Sequence, residues 1–177
     1  MLNKVTAAEI EKQVRNIPDF PKAGIQFKDI TPVLADARLF AGAIDLLTER
    51  YAPGSVDAVV GIDARGFIFA AAAALRLQSG FVPIRKKGKL PFTCHEATYE
   101  LEYGSNTVAI HVDALKPGSK VLLIDDLLAT GGTAGAAVDL LRKIGANILE
   151  ARFLIELGFL NGRSRLEGVN VCSLVHY

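Results

Sequence analysis

The residues best suited to chemistry lie within residues 121–133, where an apolar run leads into two aspartates and a glycine-bearing turn. The apolar run is typical of a strand buried on both faces, and the residues after the turn predict a helix. In an open α/β sheet, ligands bind beyond the carboxyl ends of the strands. A turn at a helix N-terminus also offers an anion free backbone N–H groups and the favourable end of the helix dipole. The segment is therefore expected to bind a phosphate group.

The side chains of this segment suit a phosphorylated sugar. Glycines allow the backbone to approach a phosphate closely, and threonine hydroxyls add hydrogen-bond donors. The two carboxylates would repel the phosphate, so they are expected to accept hydrogen bonds from sugar hydroxyls or to hold water around a magnesium ion. The residues assigned to the ribose and its 5-phosphate are Asp125, Asp126, Ala129, Thr130, Gly131, Gly132 and Thr133. Which of the two aspartates contacts the ribose stays open.

The elements that must position this segment alternate along the chain. Apolar runs and helical periodicity predict strands at 58–62, 81–84, 120–124, within 148–156 and at 169–175, and helices at 7–15, 37–51, 66–77 and 133–144. A hairpin is predicted from 99–103 and 107–111, whereas 24–29 and the stretch between 85 and 99 are expected to be irregular. Strands alternating with helices favour a mainly parallel sheet with helices on both faces. The fold class is therefore α/β, with a single doubly wound domain over residues 1–177.

Composition excludes several classes of function. The 177 residues carry 20 basic and 19 acidic side chains, a net charge of +1, so no excess of positive charge predicts a nucleic-acid partner or an acidic membrane surface. The apolar stretches are short and interrupted, which argues against a membrane span. Cys94 and Cys172 have no CxxC spacing, and the N-terminus lacks the apolar region of a secretion signal. A cytoplasmic protein with reduced thiols is expected.

Residues 121–133 resemble the phosphoribosyl-pyrophosphate signature of the type I phosphoribosyltransferases. Within them, Leu-Leu-Ala-Thr-Gly-Gly-Thr at 127–133 is similar to the adenine-specific branch of that family. Four further segments resemble the same branch in the family's order, namely 19–34, 63–67, 84–91 and 99–104. The resemblance implies the type I phosphoribosyltransferase fold, with an N-terminal base-binding segment at 1–34 and a flexible hairpin loop at 85–103 over the site.

The resemblance also implies a reaction. The family transfers the 5-phosphoribosyl group from phosphoribosyl pyrophosphate to N9 of adenine, which gives AMP and pyrophosphate. Mg²⁺ is the implied cofactor, held by substrate and water near Asp125 and Asp126 with no direct protein ligand. Family members are homodimers, and the resemblance implies that Arg85 reaches the neighbouring site.

Individual roles follow from the same resemblance. Loop closure would bring Glu102 to adenine N7 as the acid, Tyr103 would lie over the site, and Arg65 would bind the leaving pyrophosphate as a bidentate donor. The pyrophosphate residues are Asp63, Ala64, Arg65, Arg85, Lys86 and Lys89, and the adenine residues are Gln26, Phe27, Lys28 and Leu157. A non-proline cis peptide near Asp63 belongs to the family's pattern and stays open in the sequence.

Simpler interpretations stand beside these roles. The glycine turn could merely connect a strand to a helix, and Arg65 could form a surface salt bridge. Phe27 could fill the core, and Glu102 could face solvent, because charged residues alternate with apolar ones around it. The basic run at 85–89 could be a solvated face.

Three other functions are weighed against the transferase. A regulator that senses phosphoribosyl pyrophosphate would carry a DNA-binding region and a basic face, and this chain has neither. A 6-oxopurine transferase would need a lysine on the strand at 151–156, which offers Arg152 instead. A receiver domain would place its acidic pair near the N-terminus and would lack the Gly-Gly-Thr turn. The regulator is kept as the alternative.

Overall fold

The computed structural model describes residues 4–100 and 104–177, which form nine strands and five α-helices. The strands are β1 (Arg15–Pro18), β2 (Gln26–Asp29), β3 (Ala58–Ile62), β4 (Gly80–Lys86), β5 (Cys94–Glu100), β6 (Ser105–His111), β7 (Lys120–Leu128), β8 (Asn147–Glu156) and β9 (Val171–His176). The helices are α1 (Ala7–Gln13), α2 (Thr31–Ala35), α3 (Ala37–Thr48), α4 (Gly66–Leu77) and α5 (Gly132–Ile144), with 3₁₀ turns at Gly158–Leu160 and Gly162–Arg165.

Seven strands form the central sheet in the order β5-β6-β4-β3-β7-β8-β9. Strands β4, β3, β7, β8 and β9 are parallel, and β5 and β6 add an antiparallel hairpin at one edge. From β3 the chain moves outward through α4 to β4, and from β7 it moves in the opposite direction through α5 to β8. The strand order therefore reverses between β3 and β7, which is where doubly wound sheets bind their ligands. The predicted α/β class with a mainly parallel sheet is confirmed.

Apolar side chains cover both faces of the sheet. Leu122 and Leu123 are adjacent on β7, and both are fully buried, although they point to opposite faces. Leu122 packs in a cluster with residues of α1 to α4, and Leu123 packs in a second cluster with residues of α5. The continuous apolar run in the sequence is thus the consequence of a strand covered on both sides.

The N-terminal segment is more regular than predicted. Residues 24–29 were expected to be irregular, but β2 pairs with β1 in a separate antiparallel ribbon, in which Ile17 lies opposite Phe27. The connection is closed by the amide of Gly24, which donates to Oδ1 of Asp19 at 2.7 Å. The prediction was wrong because the ribbon is largely exposed and leaves no apolar periodicity in the sequence.

The stretch between residues 85 and 99 is also more regular than predicted. Strand β4 continues through Lys86, and β5 begins at Cys94, which pairs with His111. Only the residues between the two strands form the turn. The outward side of β5 carries polar residues, so its sequence lacks an apolar run, and the prediction missed it. Of the return strand predicted at 99–103, residues 101–103 lie outside the described residues.

Helix boundaries differ in detail. Thr6 caps α1 and forms the predicted capping box with Glu9, but the helix ends at Gln13 because β1 begins two residues later. Helix α3 ends at Thr48, three residues before the predicted end. The short α2 was not predicted. No helix in 4–100 or 104–177 combines the length and the apolar character that crossing a membrane requires.

Candidate active site

A cleft of about 320 Å³ lies at the carboxyl ends of β3 and β7. Because these strands are parallel neighbours, the loops that follow them meet at the same edge of the sheet. The lining residues are Ile62, Asp63, Ala64, Arg65, Asp125, Asp126, Leu127, Leu128, Ala129, Thr130, Gly131, Gly132, Thr133 and Ala134. All seven residues assigned to ribose and 5-phosphate are therefore brought together.

Residues 129–133, here called the phosphate loop, turn directly into α5. Gly131 has a φ of +79°, a backbone conformation that favours glycine, and α5 begins at the next residue. The first amides of a helix have no acceptor within it, so those of this turn are available to an anion in the cleft. The predicted turn at a helix N-terminus is therefore present, and its binding of a phosphate stays a prediction.

A second turn supports the phosphate loop from behind. A Cβ atom at Gly131 would collide with the carbonyl oxygen of Gly162, and one at Gly162 would collide with the carbonyl oxygen of Ala129. The 3₁₀ turn that begins at Gly162 therefore lies in backbone contact with the loop. Gly162 was not predicted, because a contact between glycines 31 positions apart leaves no local pattern in the sequence.

Arg65 joins three parts of the site. Its Nε lies 2.8 Å from Oδ2 of Asp126, and its guanidinium lies 5.2 Å from the ring centre of Phe27. Asp126 is only 6% exposed, so this ion pair is not the surface salt bridge of the simpler interpretation. The loop after β3, an acid near the carboxyl end of β7 and the N-terminal segment thus meet at one guanidinium.

The two aspartates occupy a site that disfavours their charge. Burial raises the pKa of Asp125 well above its ordinary range, and the neighbouring charge of Asp126 raises it further. Burial also raises the pKa of Asp126, while the positive charge of Arg65 opposes that rise. The Asp126 amide donates to Oδ1 of Asp125 at 2.9 Å, and a Cβ atom at Gly66 would collide with the same carboxylate. The start of α4 therefore packs directly on Asp125.

We expect Asp125→Asn to stabilise the ligand-free protein by about 1 kcal/mol or more at neutral pH, since it removes a poorly solvated charge. The folded-state pKa of Asp125 is raised, so the stability of the wild type falls as pH rises from the ordinary carboxyl range to that pKa. Thermal unfolding in EDTA should therefore show that Asp125→Asn is no more stable than the wild type in acid, and that its advantage in melting temperature grows as pH rises.

The matched control for this measurement is Asp113→Asn, which changes an exposed aspartate. It should leave the melting temperature nearly unchanged across the same pH range. If Asp125→Asn were less stable than the wild type at neutral pH, the inference that the buried charge of Asp125 destabilises the fold would be contradicted.

The loop after β3 holds the predicted pyrophosphate residues. The peptide bond between Asp63 and Ala64 is cis, the geometry that the sequence left open. The Asp63 amide donates to the carbonyl of Ile84 at 2.9 Å, and its carboxylate lies 3.0 Å from Nε of Arg85. Arg85 also donates to the carbonyl oxygen of Lys89 at 3.1 Å. The basic segment is thereby tied to the pyrophosphate loop within the same chain.

The lysines of the basic segment differ in their contacts. Lys87 pairs with Glu96 at 2.7 Å across the turn between β4 and β5. Lys86 and Lys89 are exposed, and neither is among the described residues that line the cleft. Their assignment to pyrophosphate stays a prediction.

None of the predicted adenine residues is among the described residues that line the cleft, but Phe27 lies beside Arg65, which does line it. Phe27 is half-buried and meets the ring of Phe20 edge-on at 5.1 Å, so it is not the core side chain of the simpler interpretation. Gln26 is exposed at the start of β2. Leu157 is half-buried after β8, and its amide donates to the carbonyl of Leu128 at 2.9 Å.

Lys28 is half-buried and makes contacts that the sequence did not indicate. Its ammonium donates to Oδ1 of Asn16 at 2.6 Å and lies 3.3 Å from the ring centre of Tyr177. The partial burial lowers the pKa of Lys28, while the charge of Glu11 opposes that change. These contacts fix the strand beside Phe27, where the backbone was predicted to contact the base.

Two of the predicted catalytic residues, Glu102 and Tyr103, lie outside the described residues. Another tyrosine of the same hairpin reaches the site. The Thr133 hydroxyl donates to the hydroxyl of Tyr99 at 2.8 Å. Tyr99 was predicted to lie in a strand and was given no role. Ala97 and Tyr99 lie on the same side of β5, and both pack against the core.

Arg152 lies inside the domain and not in the cleft. It is 1% exposed, lies 3.6 Å from the carboxylate of Glu150, and donates to the thiol of Cys172 at 3.2 Å. A 6-oxopurine transferase would bind its base through a basic residue on this strand. The one basic residue of β8, Arg152, is buried in the interior instead.

Known proteins share this arrangement over nearly the whole chain. Residues 26–166 match the phosphoribosyl transferase domain family. The chain is 53% identical over 173 residues to the adenine phosphoribosyltransferase of Chloroflexus aurantiacus, an alignment that covers 98% of this chain and 100% of that relative.

Solved structures agree with the sequence relationship. The adenine phosphoribosyltransferase of Thermoanaerobacter pseudethanolicus is 47% identical, with a TM-score of 0.92 over 97% of this chain and 100% of that one. The Saccharomyces cerevisiae enzyme, in complex with D-2,5-dideoxy-2,5-imino-altritol 1,6-bisphosphate and adenine, is 44% identical, with a TM-score of 0.90 over 95% of this chain and 97% of that one. With the phosphate loop, the paired acids and Arg65 in one cleft, the chain belongs to the adenine phosphoribosyltransferase family.

Proposed function

We propose that the chain transfers the 5-phosphoribosyl group from phosphoribosyl pyrophosphate to N9 of adenine, which yields AMP and pyrophosphate and returns free adenine to the nucleotide pool. The observation that carries the proposal is the position of Arg65, between the buried Asp126 and the Phe27 ring. Sites for the sugar, the leaving group and the base thereby adjoin one another. The yeast relative, whose solved complex holds adenine together with a sugar bisphosphate analogue, supports the same assignment.

The mechanism assigns one task to each part of the cleft. The amides of the phosphate loop hold the 5-phosphate, and the carboxylates of Asp125 and Asp126 accept hydrogen bonds from ribose hydroxyls. The C1–O bond to pyrophosphate breaks and its electron pair leaves with the pyrophosphate oxygen. N9 of adenine bonds to C1, and the N9 proton passes to water. Arg65 stabilises the negative charge that develops on the pyrophosphate. Phe27 offers a face on which adenine stacks, as Leu157 does from the other side.

Mg²⁺ fits the donors of this cleft. The lining side chains offer carboxylate and hydroxyl oxygens without histidine or cysteine, a set that suits a hard cation. Asp126 is already paired with Arg65, so the protein supplies few ligands, and substrate phosphates with water would complete the coordination. A bound ion would neutralise and orient the pyrophosphate. Asp125 and Asp126 would hold its water shell.

Glu102 and Tyr103 complete the proposal. A carboxyl brought to adenine N7 would stabilise the charge that develops on the purine, and closure of the hairpin would exclude water from the cationic ribose. Support comes from the sequence resemblance and from the hairpin's position: β5 ends at Glu100 and β6 begins at Ser105, beside the phosphate loop.

A turnover assay tests the proposed function. The protein is mixed with phosphoribosyl pyrophosphate, Mg²⁺ and, separately, adenine, hypoxanthine, guanine or uracil, and the nucleotide formed is followed by absorbance. AMP from adenine alone, abolished by EDTA and restored by added Mg²⁺, is the expected result. Turnover with another base would leave the phosphoribosyl site intact and overturn the base assignment. Tight binding of phosphoribosyl pyrophosphate with no turnover would favour a regulator.

We further infer a homodimer that works in the cytoplasm. Helix α4 presents an apolar stripe to solvent, with Ile68 40% and Leu75 83% exposed at positions two turns apart, and Phe81 on the next strand is 37% exposed. Phe81 and Arg85 both belong to β4, so the apolar stripe includes a residue of the strand that carries Arg85. Arg85 pairs with Asp63 of its own chain and would approach the partner's site from this strand. The free thiols of Cys94 and Cys172 suit a reducing compartment.

Leu75→Glu should convert this dimer into a monomer at micromolar concentrations, because it places a charge in the centre of the apolar stripe. Sedimentation velocity would measure the change. Phe159→Glu is the matched control, since Phe159 is 75% exposed on a different surface and its replacement should leave the dimer intact. A wild-type protein that sediments as a monomer would contradict the inference.

A further inference from the structure

Tyr99 of β5 makes two contacts with the phosphate loop. Its hydroxyl accepts a hydrogen bond from Oγ1 of Thr133 at 2.8 Å. Its ring lies against the backbone of Gly132, where a Cβ atom would come within 2.9 Å of the ring. The hairpin and α5 are separate elements of the fold, and Tyr99 contacts both Gly132 and Thr133 at the start of α5.

The hydroxyl pair has a consequence for phosphate binding. A threonine hydroxyl has one proton and two acceptor positions, and it can rotate. When a phosphate takes the proton of Thr133, the Tyr99 hydroxyl can reverse its role and donate to Oγ1 of Thr133. One acceptor position of Thr133 is then filled, and its proton is directed at the phosphate. The hydrogen bond to the anion gains strength from both effects.

We propose that Tyr99 is a positioning residue for the 5-phosphate of the substrate, acting through the hydroxyl of Thr133. This proposal rests on the proposed function, because it requires the phosphoribosyl group to lie on the phosphate loop. It assigns the specific effect to the tyrosine hydroxyl, whereas the packing of the ring against Gly132 would be retained by phenylalanine.

The test compares Tyr99→Phe, Thr133→Val and the double variant with the wild type. We expect Tyr99→Phe to raise KM for phosphoribosyl pyrophosphate about fivefold, the usual scale of one lost hydrogen bond. Its kcat and its KM for adenine should stay within about twofold of the wild type. In the Thr133→Val background, Tyr99→Phe should cause no further loss, since the residue through which it acts is already absent.

Tyr51→Phe is the matched control, because it removes a tyrosine hydroxyl that bonds to Glu150 at 3.2 Å outside the cleft. It should leave KM for phosphoribosyl pyrophosphate unchanged, and melting temperatures of all variants separate stability from binding. Calorimetric titration with phosphoribosyl pyrophosphate and Mg²⁺ gives a second readout independent of turnover.

The outcomes separate the two proposals. Wild-type binding with an unchanged KM in Tyr99→Phe would overturn the role of Tyr99 and leave the proposed function standing. Additive losses in the double variant would also overturn it, because Tyr99 would then act independently of Thr133. No binding of phosphoribosyl pyrophosphate by the wild type would overturn the proposed function itself, and the role of Tyr99 with it.

Discussion

Arg65→Lys is expected to lower kcat/KM by about 100- to 1,000-fold, the scale of losing one preorganised donor to a developing anion. Lysine keeps the positive charge but not the planar fork. Arg65 pairs with Asp126 through Nε, so its terminal nitrogens can bind the pyrophosphate of the proposed reaction, and its guanidinium carbon lies 5.2 Å from the ring centre of Phe27. A lysine ammonium is a point charge that cannot hold these contacts together.

Steady-state kinetics with adenine and phosphoribosyl pyrophosphate would measure this loss. Arg76→Lys is the matched control, because Arg76 also pairs through Nε with an aspartate, Asp45, at 2.9 Å, but on the surface. That variant should retain wild-type kinetics. If Arg65→Lys kept more than about a third of the wild-type kcat/KM, Arg65 would be only a structural partner of Asp126 and the proposed mechanism would fail.

The parts of the fold that the sequence predicts best are those buried on both sides. Strand β3 and helix α4 have the predicted boundaries, because every position of β3 and one whole side of α4 are covered by neighbours. Strands β2 and β5 were missed because no residue of either strand is fully buried, so neither carries an apolar run. The pairing of an exposed ribbon depends on backbone hydrogen bonds, which almost any sequence can make.

The same distinction applies to the site. The turn at 129–133 and its place in the cleft could be predicted because its residues are contiguous and their types are typical of an anion site at a helix N-terminus. Arg65 reaches Asp126 because β3 and β7 are neighbours in the sheet. The alternation of strands and helices in the sequence is consistent with that strand order but does not determine it. The contacts of Tyr99 and Gly162 with the loop depend on the three-dimensional packing of a hairpin edge and a 3₁₀ turn, and no local pattern encodes them.

Gly131→Ala is expected to weaken binding of phosphoribosyl pyrophosphate by at least about 100-fold, since a displacement of about 1 Å in a binding loop has effects of this size. Two causes combine. The φ of +79° is unfavourable for alanine by about 1 kcal/mol, and the new Cβ atom would collide with the backbone carbonyl of Gly162. That carbonyl belongs to the turn packed against the loop, so relief of the collision requires one of the two to move, and we expect the phosphate loop to move toward the cleft.

Gly118→Ala separates the two causes. Gly118 has a φ of +81° but no heavy atom within 4 Å of its Cβ position, and it precedes β7 at the end of the sheet opposite the cleft. It should therefore lose about 1 kcal/mol of stability and bind phosphoribosyl pyrophosphate as the wild type does. Calorimetric titration of both variants, with thermal unfolding in parallel, makes the comparison. Equal affinities for the two variants would mean that contact with Gly162 does not set the position of the loop, and that the turn behind it is only a connection.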